Sequence, residues 1–414
     1  MSEGAERVGI VLTGAAARGA FQAGALAQLL PALARRGMTP TVAIGTSAGA
    51  INAALWASYA HLSTDEIGRR LRGLWVGTDS DDIFRHPLLT LPSVTWDALR
   101  SSVGLGGGVD ALLDTSRLVA TAGEALDTVQ ISANVDHGIV DAVGVVATRM
   151  PAAADPAAVS SGRSVLFLDT TLDASTVADP SRALDVARSR ISAEHVVASS
   201  AIPLAFPAVL VSHPPGIGGW YADGGIRLNA PLRPAVQLGV DRLVVVAAHS
   251  TRYGDAPGPE PANASQPDLA DSAAHVLHAV LADRMVEDLA DLRWTNSLCS
   301  AMGDGELVDR CGEPLRRIPV LTVAPEPGQL AAVADSVLRD KYGTWPWRWF
   351  DDSGTWLLGR LLRSVGDGPG RAELLSYLAF ESEYFAEQIT LGSAAADAAL
   401  ARGWSDDGRV GAGS

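Results

Sequence analysis

The amino-acid sequence predicts a three-layer α/β/α domain with a mainly parallel central sheet. The chain opens with two consecutive strand–turn–helix units, and several later strand candidates are continuous apolar runs, typical of strands buried on both faces. The chain has 414 residues, of which 47% are hydrophobic and 19% charged. Such a chain can form one large domain, or a domain with an extension.

The first unit is a buried strand at Arg7–Leu12, followed by a glycine-rich turn and a helix within Gly14–Arg36. The second unit is a strand at Thr41–Thr46, followed by a helix that begins near Ala48. In each unit an apolar run ends in small residues, which indicates a strand entering a tight turn.

The remaining chain reads as further strands, three loops and a helical C-terminal part. Strands are predicted at residues 142–150, 164–170, 208–212, 241–248 and 317–325. Loops are predicted at 101–111, 150–164 and 250–268, the last being rich in proline and glycine and the most prone to disorder. A long amphipathic helix is predicted at 269–296, and helical, aromatic segments follow residue 325. We therefore expect a large α/β domain over residues 1–325 and a helical extension over residues 326–414 that packs on it.

A serine between two glycines follows the second strand: Ser47 in the segment Gly45–Gly49. Small neighbours suit a sharp turn that exposes a nucleophilic hydroxyl, and a helix N-terminus directs N–H groups at developing negative charge. The alternative is a small-residue turn that packs a helix on a sheet, in a chain with 42 glycines. The motif alone leaves both interpretations open.

The loop that follows the first strand, Thr13–Gly24, is a second candidate. A glycine-rich strand-to-helix loop with an arginine can present several backbone N–H groups to an oxyanion or a phosphate. Gly14 is followed by three alanines and no lysine is present. The loop therefore matches neither the dinucleotide fingerprint nor the P-loop. Taken alone, it is also compatible with an ordinary helix start.

The third candidate is Asp223, which stands between an aromatic pair and two glycines in the sequence WYADGG. A carboxylate at such a position can be held against another loop. Asp-Gly is also a common turn dipeptide, so a surface turn is the alternative. An aspartate with an ordinary pKa near 3.9 is a poor base for a hydroxyl. Burial beside Trp220 and Tyr221 would raise that pKa.

In this chain order the glycine-rich loop, the G-x-S-x-G turn and the D-G-G segment resemble the patatin-like phospholipase family. Two further stretches are similar to the family's pattern: EHVVASSAIPLAFPAV at Glu194–Val209 and LLDTSRL at Leu112–Leu118. The resemblance covers residues 7–325, and the C-terminal helices look like those of longer bacterial members. It implies a lipid acyl hydrolase with a serine–aspartate dyad, without a catalytic histidine and without a metal or organic cofactor.

The resemblance also assigns roles to individual residues. Ser47 would be the nucleophile and Asp223 its base, with Gly45 and Gly49 forming the elbow. The D-G-G glycines are Gly224 and Gly225. The oxyanion hole would be formed by residues Gly14, Ala15, Ala16, Arg18, Gly19 and Ala48.

The chain departs from the family pattern in this oxyanion loop, where Gly14-Ala15-Ala16 stands in place of three glycines. Alanine still offers an N–H group, but its Cβ is penalised at positive φ. Loss of one oxyanion donor costs about 2.7–4 kcal/mol of transition-state stabilisation in a well-studied hydrolase. A catalytically weak patatin-fold protein that binds lipid or a partner is therefore one alternative function.

The other alternative is a Ser–Asp–His esterase, since His249 follows an apolar strand and this chain order is that of the α/β-hydrolases. That fold usually builds several strands before its elbow, which fits this sequence poorly. His195 is expected to be structural. His275 and His278 lie three apart without a carboxylate in metal-binding spacing, and no metal site is predicted.

The charge of the chain and its lack of recognisable targeting signals limit the classes of partner that we expect. The net charge is −15 and no basic cluster is present, which argues against a nucleic-acid partner. No secretory signal and no spanning apolar stretch are found, and two cysteines are too few for a disulfide framework. A cytoplasmic protein is expected, with a phospholipid or another lipid ester as substrate. Transient contact with a membrane surface is compatible with the aromatic residues at 344–350, although core packing is their simpler interpretation. The sequence does not indicate an oligomeric state.

Overall fold

A computed structural model describes residues 6–77, 126–151, 162–203, 206–252, 266–302, 307–308, 314–342 and 369–405. Within these ranges the strands are β1 (Val8–Leu12), β2 (Pro40–Thr46), β3 (Ala142–Arg149), β4 (Arg163–Thr170), β5 (Leu184–Arg188), β6 (Val209–Val211), β7 (Gly219–Asp223), β8 (Arg242–Val246) and β9 (Val320–Val323). The described helices are α1 (Gly19–Ala34), α2 (Ala48–Tyr59), α3 (Thr64–Val76), α4 (Thr128–Asp136), α5 (Ala193–Ser199), α6 (Leu232–Gln237), α7 (Leu269–His278), α8 (Arg284–Met302), α9 (Gln329–Tyr342), α10 (Pro369–Leu378) and α11 (Ser382–Arg402). No helix in the described part is both long enough and apolar enough to cross a membrane.

The strands form a single sheet in the order β5-β4-β3-β2-β1-β8-β9. Neighbours along this path pair in parallel, except β3 and β4, which are antiparallel. Strand β7 pairs antiparallel with β3, and β6 pairs antiparallel with β7. The predicted mainly parallel sheet with flanking helices is confirmed.

The sheet separates two apolar cores because successive side chains of a strand point to opposite faces. In β1, Ile10 packs into one core and Val11 into the other. The first core holds Phe21 of α1 and Phe385 of α11, and the second holds Met285 of α8. Helices therefore cover both faces of the sheet and give the chain its three layers.

The unequal lengths of β2 and β3 create the place where the candidate site forms. The last residue of β2, Thr46, pairs with Val146 of β3. Beyond that point β3 continues, and Asp223 of β7 pairs with Ala147. Strand β4 pairs with all eight residues of β3 on its other side. The ends of β2 and β7 consequently meet beside β3, one residue apart in register.

Several elements differ from the sequence prediction. Strand β5 was not predicted because charged residues interrupt its sequence LDVAR, and β7 was not predicted because its end reads as an Asp-Gly turn. The predicted helix over 269–296 consists of α7, a π-helical turn (Ala279–Asp283) and α8, which continues to Met302. The C-terminal helical segment at 374–389 is divided between α10 and α11. The predictions at 101–111, 112–118 and 344–350, and most of those at 150–164 and 250–268, lie outside the described residues.

Candidate active site

Ser47 occupies the sharp turn between β2 and α2, with φ 57° and ψ −131°. A non-glycine residue in such a conformation costs about 1–3 kcal/mol and persists only where its surroundings hold it. A Cβ on Gly45 would lie 2.2 Å from the Gly49 carbonyl oxygen, and one on Gly49 would lie 2.4 Å from that of Leu12. Both glycines are therefore required by close backbone packing around a strained serine, which is the geometry of a nucleophile elbow.

The backbone of Ser47 is held by a serine that the sequence reasoning did not assign. The Ser47 N–H donates to Ser199 Oγ at 2.9 Å, and this hydroxyl donates to the Val146 carbonyl oxygen at 2.5 Å. Ser199 is fully buried at the end of α5. It lies in the A-S-x-A-x-P stretch, whose similarity to the family pattern was the one available signal.

Asp223 ends β7 and is also buried. Its N–H donates to the Ala201 carbonyl oxygen at 2.8 Å, and its own carbonyl oxygen accepts from Thr148 Oγ1 at 2.9 Å. Its carboxylate Oδ1 accepts the Gly225 N–H at 2.6 Å, within the short 3₁₀ turn formed by Gly224–Ile226. The backbone on both sides of this carboxyl group is thereby fixed.

Burial raises the pKa of the Asp223 carboxyl to about 6, against the opposing effects of hydrogen bonds from Ser47 and Gly225. The contact with the Ser47 hydroxyl is a loose one, since Asp223 Oδ2 has no partner of full hydrogen-bond geometry among the described residues. Hydrogen bonds between catalytic groups are often long before substrate binds. One oxygen of this carboxyl group, Oδ2, therefore has no hydrogen-bond partner among the described residues.

The aromatic neighbours of Asp223 divide between the two faces of β7. Tyr221 is fully buried and lies two residues before Asp223, on the same face of the strand. Trp220 is 52% exposed and points to the opposite face. The expectation that Trp220 helps to bury the carboxyl group is wrong. Side chains alternate between the two faces of a strand, and Trp220 lies three residues before Asp223, so the two face opposite sides.

The glycine-rich loop after β1 lies directly against the elbow. A Cβ on Gly14 would lie 3.4 Å from the Ser47 Cβ, and one on Gly19 would lie 2.9 Å from the Ala48 Cβ. A Cβ on Gly14 would also lie 2.1 Å from Asn229 Oδ1, and this oxygen would be 3.0 Å from a Cβ on Gly225. The structure thus brings the loop, Ser47 and the D-G-G segment together around one point.

The N–H groups of this loop are not equally available to a ligand. The Gly14 N–H donates to the Asn229 carbonyl oxygen at 3.2 Å, the Arg18 N–H to Ala15 at 2.9 Å, and the Gly19 N–H to Ala16. Among the described residues, the N–H groups of Ala15, Ala16 and Ala48 have no hydrogen-bond partner. Of the residues predicted to form the oxyanion hole, Ala15, Ala16 and Ala48 are therefore the ones whose N–H groups remain open.

The two alanines that replace glycines differ in conformation. Ala15 has φ −139°, which any residue adopts, whereas Ala16 has φ 49°. The left-handed region costs an L-residue roughly 1–2 kcal/mol relative to glycine. Ala16 therefore takes up a backbone shape that favours glycine, and the surrounding structure must offset the cost.

Arg18, which was predicted to belong to the oxyanion hole, directs its side chain to the C-terminal helix α10. Its guanidinium group donates to Ser376 Oγ, to Tyr377 Oη at 3.1 Å and to Glu373 Oε1 at 2.6 Å. It also lies 3.9 Å from the centre of the Tyr377 ring. The charge of Arg18 is therefore balanced inside the fold by residues that sequence reasoning had no signal to assign.

His249 is buried next to Arg18 and forms no triad. Both of its ring nitrogens lack a hydrogen-bond partner within the described ranges, so it bonds neither Ser47 nor Asp223. Burial, with help from Arg18 and His278, lowers its pKa well below the usual value, so the ring is neutral.

Structural contacts surround His195. His195 stacks on Phe167 and its Nε2 contacts the His213 carbonyl oxygen at 2.8 Å, which agrees with the expected structural role. In the described part of the chain, no group of three or more histidine, cysteine, aspartate or glutamate side chains is arranged to hold a metal ion.

The fold and the site together define a three-layer α/β protein with a buried serine at a strand-to-helix elbow and an aspartate beside it. Residues 10–236 match the family model described as patatin-like phospholipase. The chain belongs to the patatin-like phospholipase family.

Comparison with individual proteins adds little to this assignment. A search of curated proteins found no match. One solved structure, VipD from Legionella pneumophila, is similar to 78% of this chain at 14% identity and a TM-score of 0.33, and the match spans 61% of that chain. Nothing about this chain's activity follows from a similarity of that size.

Proposed function

We propose that this protein is a serine hydrolase of lipid acyl esters that acts through a Ser47–Asp223 dyad. The observation that carries the proposal is the meeting of a strained, buried serine with a buried carboxyl group whose pKa is raised to about 6. A base is most effective when its pKa lies near the working pH. The family assignment supplies the class of substrate, a phospholipid or another lipid ester.

In the first half-reaction, Ser47 Oγ attacks the ester carbonyl carbon as Asp223 takes the hydroxyl proton. The carbonyl oxygen becomes an oxyanion, which the open N–H groups of Ala15, Ala16 and Ala48 would stabilise. When the intermediate collapses, the carbon–oxygen bond to the alcohol breaks and Asp223 returns the proton to that alcohol. An acyl group remains on Ser47.

In the second half-reaction, Asp223 takes a proton from water, and the hydroxide formed attacks the acyl carbon. The same N–H groups stabilise the second oxyanion, and collapse returns the proton to Ser47 Oγ while the carboxylic acid leaves. One carboxyl group thus serves twice as base and twice as acid. No cofactor is needed in either step.

The proposal is tested by steady-state hydrolysis of p-nitrophenyl butyrate and of phospholipid vesicles. We expect Ser47→Ala to lower kcat by about 10⁴-fold or more, and Asp223→Asn to lower it by about 10³-fold. His249→Phe keeps an aromatic ring at this position and removes two unpartnered nitrogens, so its kcat should stay within about threefold of the wild type.

Covalent labelling separates this proposal from its alternatives. A fluorophosphonate probe should label the wild-type protein and the His249→Phe variant, but not Ser47→Ala. Loss of turnover in His249→Phe would instead indicate the Ser–Asp–His esterase. A wild-type protein that is neither labelled nor active on any ester would be a patatin-fold binding protein.

A further inference from the structure

We infer that Gln388, on the C-terminal helix α11, is a positioning residue that holds the oxyanion loop in its active shape. The inference rests on the proposed function, because it concerns the loop that would stabilise the oxyanion. It makes the C-terminal helices part of the catalytic arrangement, although they lie outside the family model's residues 10–236.

The Gln388 side chain makes two hydrogen bonds, one on each side of the loop's end. Its Oε1 accepts the Phe21 N–H at 3.2 Å, and its Nε2 donates to the Ala17 carbonyl oxygen at 2.9 Å. Phe21 lies in the first turn of α1, where backbone N–H groups lack partners within the helix. Gln388 is fully buried and satisfies these backbone groups from another part of the chain.

A second group of contacts holds the loop from α10. Arg18 is the last residue of the 3₁₀ turn in the loop. Its buried side chain donates hydrogen bonds to Glu373, Ser376 and Tyr377. Contacts from α10 and α11 therefore act on residues 17–21, immediately after the strained Ala16. A strained residue persists only where its surroundings over-determine it, and these contacts provide that constraint.

The N–H of Ala16 is one of the open donors. The position of this N–H group depends on how the backbone carbonyl and amide groups after Ala16 are held. A loop that relaxes by about 1 Å can cost up to about 100-fold in rate, because oxyanion donors act only at the correct distance. Gln388 touches neither substrate nor reacting atoms in this arrangement. Its effect must appear in the transition state and not in the binding of substrate.

The test compares Gln388→Met, which is similar in size but makes no hydrogen bond, with Gln388→Glu, which keeps the acceptor for Phe21. The matched control is Gln28→Met. It removes an exposed hydrogen bond of 2.5 Å to Asp397 across the same α1–α11 contact, away from the loop. All variants are measured as the full chain on p-nitrophenyl butyrate, with a trifluoromethyl ketone as a mimic of the oxyanion intermediate.

We expect Gln388→Met to lower kcat by about 10- to 100-fold with KM within about threefold, and to weaken trifluoromethyl ketone inhibition by a similar factor. Gln388→Glu should show a smaller loss, and Gln28→Met should resemble the wild type. The double variant with Ala16→Gly and Gln388→Met should have a kcat at least about threefold higher than Gln388→Met alone, because glycine adopts positive φ without an external constraint.

Three results would overturn the inference. They are a kcat within about twofold of the wild type, a lower kcat with unchanged ketone inhibition, and an equal loss in the Gln28→Met control. If neither Gln388 variant folds, the residue supports stability and the positioning role is rejected. A wild-type protein without turnover or fluorophosphonate labelling would contradict the proposed function itself, and the inference would be rejected with it.

Discussion

Asp223 is the residue whose energetics matter most to the proposed chemistry. Its carboxyl group is buried, and its pKa in the folded chain, about 6, lies above the ordinary value of 3.8. The folded state therefore holds the proton more tightly than the unfolded state does. Stability is unaffected well below pH 3.8, falls as the pH rises from about 4 to 6, and is lower by about 3 kcal/mol above that window. The raised pKa that suits Asp223 to its proposed role as a base thus lowers stability at neutral pH.

The same pKa predicts the pH dependence of the reaction. Asp223 can accept the Ser47 proton only when it is ionised, so kcat/KM should rise with pH through about 6 and then level off. The quantity to measure is kcat/KM on a water-soluble ester, with hydrolysis monitored by pH-stat titration of the acid released. The rate of fluorophosphonate labelling should follow the same curve. A rate already maximal near pH 4 would contradict the raised pKa.

At the scale of elements, the extra length of β3 brings the two proposed catalytic residues together. Thr46 pairs with Val146 and Asp223 pairs with Ala147, so β3 is the pairing partner of both β2 and β7. The elbow then depends on how closely α2 approaches β1. Gly49 provides this approach, since its Cα faces the Leu12 carbonyl oxygen.

Substitution of Gly49 tests this packing. A Cβ at Gly49 would lie 2.4 Å from the carbonyl oxygen of Leu12, in a central strand that cannot move aside. We expect Gly49→Ala to lower the free energy of unfolding by about 3 kcal/mol or more and to abolish turnover. Gly73→Ala is the control, because Gly73 is exposed on α3 with open space around its Cα.

Urea unfolding of both variants gives the comparison. The control should gain about 0.5–1 kcal/mol, since alanine favours a helix over glycine. Equal stability of the two variants would mean that the elbow tolerates a side chain and that the glycine is not required.

At the level of the whole molecule, α1 packs closely against the C-terminal helix α11, where the Ser393 hydroxyl donates to the Gly24 carbonyl oxygen. Most of α1 is buried, including Phe21, Leu26 and Leu30. Helix α11 buries Tyr384 and Phe385 on the same core. We propose that residues 1–325 carry the catalytic residues but depend on residues 326–414 to cover α1.

Truncation tests this dependence. A chain ending at residue 325 would expose the buried outer side of α1 to water, so we expect it to be insoluble or to lack a cooperative unfolding transition. A chain ending at Ser405 retains α11 and should behave like the full chain. Both are measured by yield in the soluble fraction and by thermal unfolding. A soluble, cooperatively folded 1–325 fragment would show that the extension is dispensable.

Most of the fold could be predicted from the sequence because it is encoded in local patterns. Apolar runs indicated β1, β2 and β3, and the small residues around Ser47 indicated a strand-to-helix turn. Strand β7 was missed for an equally local reason, since its five residues end in an Asp-Gly pair that also forms turns.

Local sequence patterns were sufficient to predict the family, the parallel sheet and the candidate residues Ser47 and Asp223, because each depends on neighbours in the chain. The surroundings of these two residues became known only from the folded structure. The pairing of β7 with the free end of β3 placed Asp223 next to the elbow, and burial there raised its pKa. Gln388 is bonded to a loop that is distant in sequence, and Ala16 adopts positive φ within that loop. These features arise from contacts between remote segments, which no local pattern encodes.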